Sequence, residues 1–296
     1  MLTALLAVLA TLGVADFSYD RVIHFRNDRW EKTIKRDASG LREGYEDFSV
    51  GKGDTALLMI HGFGAGPLTF GRMAPEFAKR GYACRAMLLP GFGMPNAVYS
   101  KATAALWRAA IRSEVAMLRK THRQVWLVGH SMGGTLATVE ALDRPGDIDG
   151  LILLAPLIEV SSKRSPVFKA RTWFQIVDHA AIFTDLTEMA FPVDVHDAVV
   201  LQHVVRDQFV PRSIYRQMFS LTDAARGRAG ELHMPVLLAY APQDKVADAD
   251  AAVNFVRESK SARKVIFCAQ DSGHVITWDL GWEKCVDAVD RFISKN

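Results

Sequence analysis

The sequence has few cysteines and little net charge, and both absences exclude classes of protein. Its 296 residues include only three cysteines, Cys84, Cys268 and Cys285, at wide spacings and without a C-x-x-C motif. A disulfide framework and a zinc or other metal site therefore lack support, and we expect all three to be small buried hydrophobes. The net charge of +3 comes from basic residues mixed among acids, so no nucleic-acid partner is expected.

A hydrophobic run long enough to span a bilayer is also missing. Residues 1–15 carry no charge, but about 14 apolar residues fall short of the roughly 20 that a spanning helix needs. The segment has the length of a signal-peptide core, yet no Lys or Arg precedes Arg21. Three interpretations stay open: a cleaved export signal, an anchor or interfacial helix in contact with a membrane surface, and an apolar helix packed on its own domain. The protein is accordingly expected to be membrane-associated or exported, or otherwise cytoplasmic.

The rest of the chain has the composition of a globular protein, with 49% hydrophobic and 23% charged residues. Residues 16–41 mix basic and acidic side chains and are predicted to be a solvated connector. Beyond them, short apolar runs alternate with helix-length amphipathic segments. The runs lack polar alternation, as in strands buried on both faces of a parallel sheet; they are 56–60, 83–89, 125–128, 151–155, 236–240 and 264–267.

This alternation predicts the α/β class, with a mostly parallel, doubly wound sheet. The helix candidates between the strands are 70–79, 103–120, 132–142, 249–259 and 282–293. Residues 42–50 could add one or two antiparallel edge strands. The core is then assigned to residues 42–156 and 235–296.

Residues 157–234 break the alternation of predicted strands and helices, because they contain no convincing buried strand. Helical patterns occur at 167–179, 196–205 and 212–225, among many large apolar side chains. A structureless loop of this length is uncommon in a compact domain, and ligands bind at the carboxyl ends of the strands. The interval is therefore predicted to be a helical cap or lid, inserted after the strand ending near Ala155. Extra core helices on the sheet flank are the alternative.

The strongest chemical signal is the G-x-S-x-G pattern around Ser131. It follows a predicted buried strand and opens a predicted helix, the setting of a nucleophile elbow. Gly129 and Gly133 stand two residues before and two after the serine, where side chains would prevent the turn from closing. The helix N-terminus behind Ser131 favours developing negative charge. Ser131 is therefore the candidate nucleophile.

A serine nucleophile needs a base and a carboxylate, and the chain offers one strong candidate for each. His274 is the histidine that follows the final predicted strand, so it is the expected base. Asp244 follows the strand 236–240 and is expected to orient the imidazole. Other nearby acids fit helix capping or loop shaping better: Asp248, Asp250 and Asp271.

Acyl transfer also needs two backbone N–H groups that face the oxyanion. Met132, directly after the nucleophile, is expected to supply one. Phe63 is expected to supply the other, because residues 61–66 contain three glycines that allow the backbone to approach a ligand. Phe63 and Met132 are thus also the expected substrate contacts. His61 is predicted to be a buried, hydrogen-bonded organiser of this loop.

Together the segments HGFGAG, LPGFG and GHSMGG, with the Asp244 and His274 loops, resemble an α/β-hydrolase of the bacterial carboxylesterase and monoacylglycerol lipase type. The resemblance covers about residues 56–293, apart from the lid interval. It implies the α/β-hydrolase fold, a Ser131–Asp244–His274 triad, oxyanion donors at Phe63 and Met132, and no cofactor.

Two features depart from that family pattern. Phe92 stands where monoacylglycerol lipases usually have a histidine, a form that also resembles C–C bond hydrolases and epoxide hydrolases. Epoxide hydrolases use an aspartate nucleophile, so Ser131 argues against them. The lid interval matches no single subfamily.

The expected function is hydrolysis of carboxylic esters of a small lipophilic substrate, through an acyl-enzyme. The alternatives are a serine hydrolase of the same fold acting on C–C or amide bonds, an acyltransferase, and a non-catalytic binding protein. The apolar lid interval favours a lipophilic acyl chain. The sequence carries no signal for an oligomeric state.

Overall fold

The computed structural model describes residues 2–165, 167–189, 191–202 and 204–295, with side chains from Ala10 onward. The strands in these ranges are β1 (Phe48–Val50), β2 (Thr55–Ile60), β3 (Ala83–Met87), β4 (Gln124–His130), β5 (Gly150–Leu154), β6 (Leu186–Glu188), β7 (Phe209–Pro211), β8 (Val236–Tyr240) and β9 (Lys264–Cys268). The α-helices are α1 (Leu2–Glu31), α2 (Met73–Lys79), α3 (Asn96–Tyr99), α4 (Ala104–Leu118), α5 (Met132–Asp143), α6 (Ala170–Ala180), α7 (Ala198–Leu201), α8 (Arg212–Ala225), α9 (Ala249–Glu258) and α10 (Trp282–Ile293). Three short 3₁₀ turns lie at Pro67–Phe70, Ser162–Arg164 and Ala229–Glu231.

Seven strands form one sheet in the order β1-β3-β2-β4-β5-β8-β9. Only the edge pair β1–β3 is antiparallel; the other pairs are parallel. The register aligns Ile60 with Gly129, and Gly129 with Leu153. The carboxyl ends of β2, β4 and β5 therefore meet at one edge of the sheet. The predicted α/β fold with a mostly parallel sheet is confirmed.

Alternate residues of the central strands point to opposite faces, which gives the sheet two hydrophobic layers. In β2, Leu58 packs into the layer covered by α4, α5, α8 and α9. Its neighbour Leu57 packs into the layer covered by α2 and α10. Both leucines are fully buried, so the near-continuous apolar runs reflect burial on both faces.

The cysteines are all free, and two of them are buried as expected: Cys84 in β3 and Cys285 in α10. Cys268 is exposed, so the prediction that it is a buried hydrophobe is wrong. It ends β9, the edge strand, whose residues are exposed or only partly buried.

The prediction of a solvated connector over residues 16–41 is wrong for its first part, because α1 continues unbroken to Glu31. Ile23 is buried against Leu186 and Phe209 of the β6–β7 pair. The charges that resemble a connector instead pair across the interface, as between Arg26 and Glu188 at 2.8 Å. Among the described helices, none combines the length and apolarity that a bilayer span requires.

The interval 157–234 divides into two parts with different packing. α8 packs against α4 and α5, so this part matches the alternative of an extra core helix. Residues 157–211, which we call the cap, hold α6, α7 and the antiparallel pair β6–β7. This short pair was not predicted, because three-residue strands leave no recognisable apolar run.

Candidate active site

Ser131 lies on a sharp turn between β4 and α5 at the carboxyl edge of the sheet. Its backbone has φ +54° and ψ −122°, a conformation that non-glycine residues adopt at a cost in energy. The Ser131 N–H donates to the carbonyl of Leu154 in the neighbouring strand at 3.0 Å. That bond holds the turn in place, so the strain is maintained by the sheet.

The two elbow glycines are required by close backbone packing. A Cβ atom on Gly133 would lie 2.0 Å from the carbonyl oxygen of Ile60, and one on Gly129 would lie 2.4 Å from the carbonyl oxygen of Gly133. Real Cβ atoms essentially never approach backbone atoms so closely. The pattern that the sequence displays is therefore a steric requirement of this turn.

Ser131, His274 and Asp244 are joined in series by hydrogen bonds. The Ser131 Oγ lies 2.9 Å from His274 Nε2, and His274 Nδ1 lies 2.7 Å from Asp244 Oδ2. All three residues are buried, with relative exposures of 2% to 6%. Because Nδ1 faces a carboxylate, it carries the ring proton, which leaves Nε2 free to accept the serine proton.

Asp244 is held as a carboxylate by several donors. Its Oδ1 accepts the N–H groups of Val246 at 2.7 Å and Ala247 at 2.9 Å. Burial acts to raise the pKa of Asp244, but the charge and hydrogen bond of His274 and these two amides outweigh it, so the pKa lies below its usual value. Asp248, considered above, accepts the Ala251 N–H and caps α9.

The loop that begins at His61 places Phe63 in the wall of the cavity beside Ser131. In the described ranges, neither the Phe63 N–H nor the Met132 N–H donates a hydrogen bond. The Met132 side chain is fully buried in the core, so only its backbone is available to a substrate. Both N–H groups are thus available to donate a hydrogen bond to an oxyanion.

His61 organises this loop, as its sequence position predicts. Its Nε2 accepts the Leu89 N–H at 3.1 Å, so Nδ1 is the protonated nitrogen and donates to the Gly62 carbonyl at 3.0 Å. Complete burial lowers the pKa of His61 to about 4. Phe92, the departure from the family pattern, is also fully buried and packs against the His61 ring at 4.8 Å.

His130 was not singled out from the sequence, although it is the variable residue of the G-x-S-x-G pattern before Ser131. Its Nε2 donates to the backbone carbonyl of His274 at 3.1 Å, so it links the elbow to the loop of the base. Burial, followed by the nearby His274, lowers the pKa of His130 to about 3. His130 is therefore a neutral structural link.

Two carboxylates that link the cap to the rest of the chain were also missed. Asp194 Oδ2 accepts the N–H of Lys245 at 2.8 Å and of His274 at 3.2 Å, so one cap side chain joins the loops of two triad members. Asp279 accepts the N–H groups of His196, Asp197 and Gly273. Apart from Gly273, the partners are backbone amides more than 50 residues away in sequence, so no residue pattern could have revealed the links to the cap.

The elbow opens into a cavity of about 690 Å³ between the sheet edge and the cap, within the usual range for small-molecule sites. Ser131 and His274 lie in its wall. Most of the lining is apolar, including Leu157, Val160, Val167, Trp173, Met189, Phe191, Val205, Tyr215 and Met218.

One group of side chains in the described ranges has the spacing of a metal site, and it lies outside this cavity. Asp20 and His24 of α1 and Asp185 of the cap place one ligand atom each within 4.8 Å of the others. His24 Nε2 already contacts both carboxylates, at 3.4 Å and 2.8 Å. The contacts of His24 with one acid of α1 and one acid of the cap account for this cluster.

Comparisons with known proteins agree on one superfamily. A family model described as "Serine aminopeptidase, S33" matches residues 51–281. A thermostable monoacylglycerol lipase of Bacillus sp. (strain H-257) is 22% identical over 253 residues, which cover 86% of this chain and 96% of that protein.

A second relative and a solved structure extend the comparison. A 2-hydroxy-6-oxononadienedioate/2-hydroxy-6-oxononatrienedioate hydrolase of Burkholderia vietnamiensis is 30% identical over 139 residues, 46% of this chain and 47% of that protein, so the match spans about half its length. The crystal structure of the Paleococcus ferrophilus monoacylglycerol lipase superposes with a TM-score of 0.72 at 17% identity, covering 85% of this chain and 99% of that one. These structures share the α/β-hydrolase fold.

Proposed function

Because the chain belongs to the serine aminopeptidase S33 family of α/β-hydrolases, we propose that it is a serine hydrolase that cleaves carboxylic esters of lipophilic substrates. The observation that carries this proposal is the series Ser131–His274–Asp244, whose serine end opens into an apolar cavity. The similarity to monoacylglycerol lipases supports an esterase or lipase.

In the acylation step, the Ser131 Oγ attacks the ester carbonyl carbon while its proton passes to His274 Nε2. Asp244 keeps the ring in the required tautomer and stabilises the imidazolium that forms. The N–H groups of Phe63 and Met132 stabilise the oxyanion, and each such donor contributes a factor of about 10² to 10³ in rate.

The ester bond then breaks, and the leaving alcohol takes the proton from His274. This leaves the acyl group on Ser131. A water molecule attacks the acyl carbonyl while His274 accepts its proton, and the intermediate collapses to release the acid and regenerate Ser131. Each step is completed by water and the side chains and amides of this chain, so the mechanism invokes no cofactor.

The cavity wall favours an ester over the amide substrate that the family description suggests. An aminopeptidase must bind the ammonium group of its substrate, for which a free carboxylate is the usual partner. The two cavity carboxylates are already engaged, Asp194 with backbone amides and Glu188 with Arg26. An apolar acyl chain, by contrast, gains from burial under the cap.

We also propose that α1 brings the cap to a membrane surface. Its second half packs on β6, whereas apolar side chains of its first half are exposed: Leu12 by 59% and Val14 by 67%. Phe17 packs edge-to-face on Phe183 of the cap, and both rings are half exposed. α1 and the cap thus share an apolar surface of the kind that lies in a bilayer interface.

Fluorophosphonate labelling and turnover of p-nitrophenyl esters from C2 to C16 test the hydrolase proposal. We expect the wild type to be labelled and to hydrolyse the esters, and Ser131→Ala to lose both activities, because it lacks the nucleophile. Ser165→Ala is the matched control, since Ser165 lines the same cavity and donates instead to the Phe168 carbonyl.

Three other results would redirect the proposal. Full esterase activity in Ser131→Ala would contradict the mechanism. Labelling with turnover of p-nitroanilides but not esters would assign the site to amide bonds. Transfer of the acyl group to an added alcohol in preference to water would make the protein an acyltransferase.

A further inference from the structure

Cationic side chains outnumber acidic ones in the wall of the cavity. Arg164, Arg206 and Lys245 contribute positive charges, whereas Asp194 and Glu188 contribute negative ones. An apolar cavity strengthens any uncompensated charge, because its effective dielectric constant is lower than that of water. The distribution of these charges therefore bears on what the cavity binds.

Both acids are already occupied. Glu188 Oε1 accepts Arg26 Nη2 at 2.8 Å and Gln208 Nε2 at 3.0 Å. Asp194 Oδ1 lies 3.8 Å from both Arg164 Nη2 and Lys245 Nζ, while its Oδ2 accepts two backbone amides. Asp194 is thus shared between two cations, and Glu188 is paired with Arg26, which lies outside the cavity lining.

Arg206 is left without a counter-charge. Its guanidinium forms no hydrogen bond or ion pair with any part of the chain that the structure describes, and the residue is half-buried. Its backbone carbonyl accepts Arg42 Nη1 at 3.0 Å, and the adjacent Asp207 directs its carboxylate to Tyr45. Burial, followed by the positive charge of Arg164, lowers the pKa of Arg206. The guanidinium is thus unpaired and opposed by a second cation.

We propose that Arg206, assisted by Arg164, binds an anionic group of the ester substrate, either a carboxylate or a phosphate monoester. This inference rests on the proposed esterase function and narrows its substrate class to amphiphilic esters with an apolar chain and a second, charged group. A planar guanidinium binds either anion through two parallel N–H donors. A bound anion would also remove the repulsion between the two arginines.

Paired substrates of equal chain length test this inference. One pair is monomethyl decanedioate and methyl decanoate; the other is 1-decanoylglycerol 3-phosphate and 1-decanoylglycerol. We expect the wild type to have a kcat/KM about tenfold or more higher for the anionic member of one pair, as for a charge-assisted hydrogen bond. The favoured pair distinguishes a carboxylate from a phosphate.

Substitution of the arginine must change that ratio. Arg206→Met is expected to reduce the preference for the anionic ester about tenfold or more, and Arg206→Lys to retain part of it. Arg123→Met is the matched control, because Arg123 is exposed just before β4, away from the cavity lining. Equal turnover of both members of each pair by the wild type, or a preference that survives in Arg206→Met, would overturn the inference.

A binding measurement separates this inference from the esterase proposal. Ser131→Ala is titrated calorimetrically with decanedioate and with decyl phosphate, alone and combined with Arg206→Met. Binding that Arg206→Met abolishes supports the anion site even if no ester is turned over. Absence of binding to both compounds overturns the anion site, whatever the result with neutral esters.

Discussion

Two buried histidines near Ser131 serve as neutral hydrogen-bonding groups rather than as bases. His61 holds the loop that carries Phe63, and His130 holds the backbone of His274. Their low pKa values follow first from burial, which disfavours the charged imidazolium. The geometry around Ser131 therefore depends on both imidazole rings staying neutral, with one N–H each.

Lowering the pH should destabilise the fold through His130. Below about pH 6.5 the unfolded chain binds a proton that native His130, with a pKa of about 3, does not. The free energy of unfolding should therefore fall as the pH falls. Between pH 7.5 and pH 5 we expect His130→Gln, which can keep a donor to His274, to lose on the order of 2 kcal/mol less than the wild type.

Urea unfolding at the two pH values measures this difference. Burial is the main cause that raises the pKa of Asp207 to about 6. The native protein therefore binds a proton there that the unfolded chain does not, and this increases the free energy of unfolding as the pH falls. Because Asp207 is present in both proteins, its contribution cancels in the comparison. Identical pH dependence in wild type and His130→Gln would contradict the prediction.

Asp194 should act as a positioning residue for the triad. Asp194→Ala leaves the N–H groups of Lys245 and His274 without their acceptor, and we expect kcat for neutral esters to fall by up to about a hundredfold. KM should change much less. Asp194→Asn retains an acceptor oxygen and should restore most of kcat; failure of Asn to rescue, with thermal stability retained, would show that the carboxylate acts otherwise.

At the scale of elements, the charged residues of α1 made half of this helix resemble a solvated connector in the sequence. Its second half resembles a connector because basic and acidic residues alternate there, yet several of those side chains have partners on the cap. Asp16 accepts the N–H groups of Ile182 and Phe183, at 2.6 Å and 2.8 Å, and Arg26 pairs with Glu188. The partners lie more than 150 residues away in sequence, so local composition could not reveal the docking.

The exposed apolar face of α1 should control binding to lipid. The double variant Leu12→Lys/Val14→Lys is expected to bind vesicles of neutral phosphatidylcholine about tenfold more weakly than the wild type, since it loses apolar area that the interface would bury. Sedimentation with the vesicles measures this. The matched control is Leu106→Lys/Met117→Lys on α4, where both residues are about half exposed. Equal losses in both double variants would contradict a specific role for α1.

At the scale of the whole molecule, the sheet topology gathers the candidate site from distant segments. Ser131, Asp244 and His274 each follow a strand of the parallel sheet, and parallel strands end at one edge. This is why short apolar runs predicted the central strands of the parallel sheet. Together with the G-x-S-x-G pattern and chain order they also selected these three side chains, which the structure places in one hydrogen-bonded series.

The cap was less predictable, for a physical reason. Its apolar residues are divided among the cavity wall, the α1 interface and the exposed surface. Their spacing along the chain therefore does not show the period of one buried helix or strand face. Its two carboxylate links, through Asp194 and Asp279, end on backbone amides that every residue type offers. α8 is assigned to the core rather than to the cap because it packs against α4 and α5, and these contacts between distant segments are not visible in the sequence.

The Asp194 and Asp279 links also have a consequence for protein engineering. A chimera joined to a relative's cap at residues 157 and 211 would discard the carboxylate that supports both the Asp244 and His274 loops, together with the backbone that Asp279 holds. Residues 194–197 behave as part of the catalytic scaffold, although they lie within the cap in sequence. A transplant that keeps them native, and exchanges the segments on either side, would vary substrate choice while the catalytic loops stay supported.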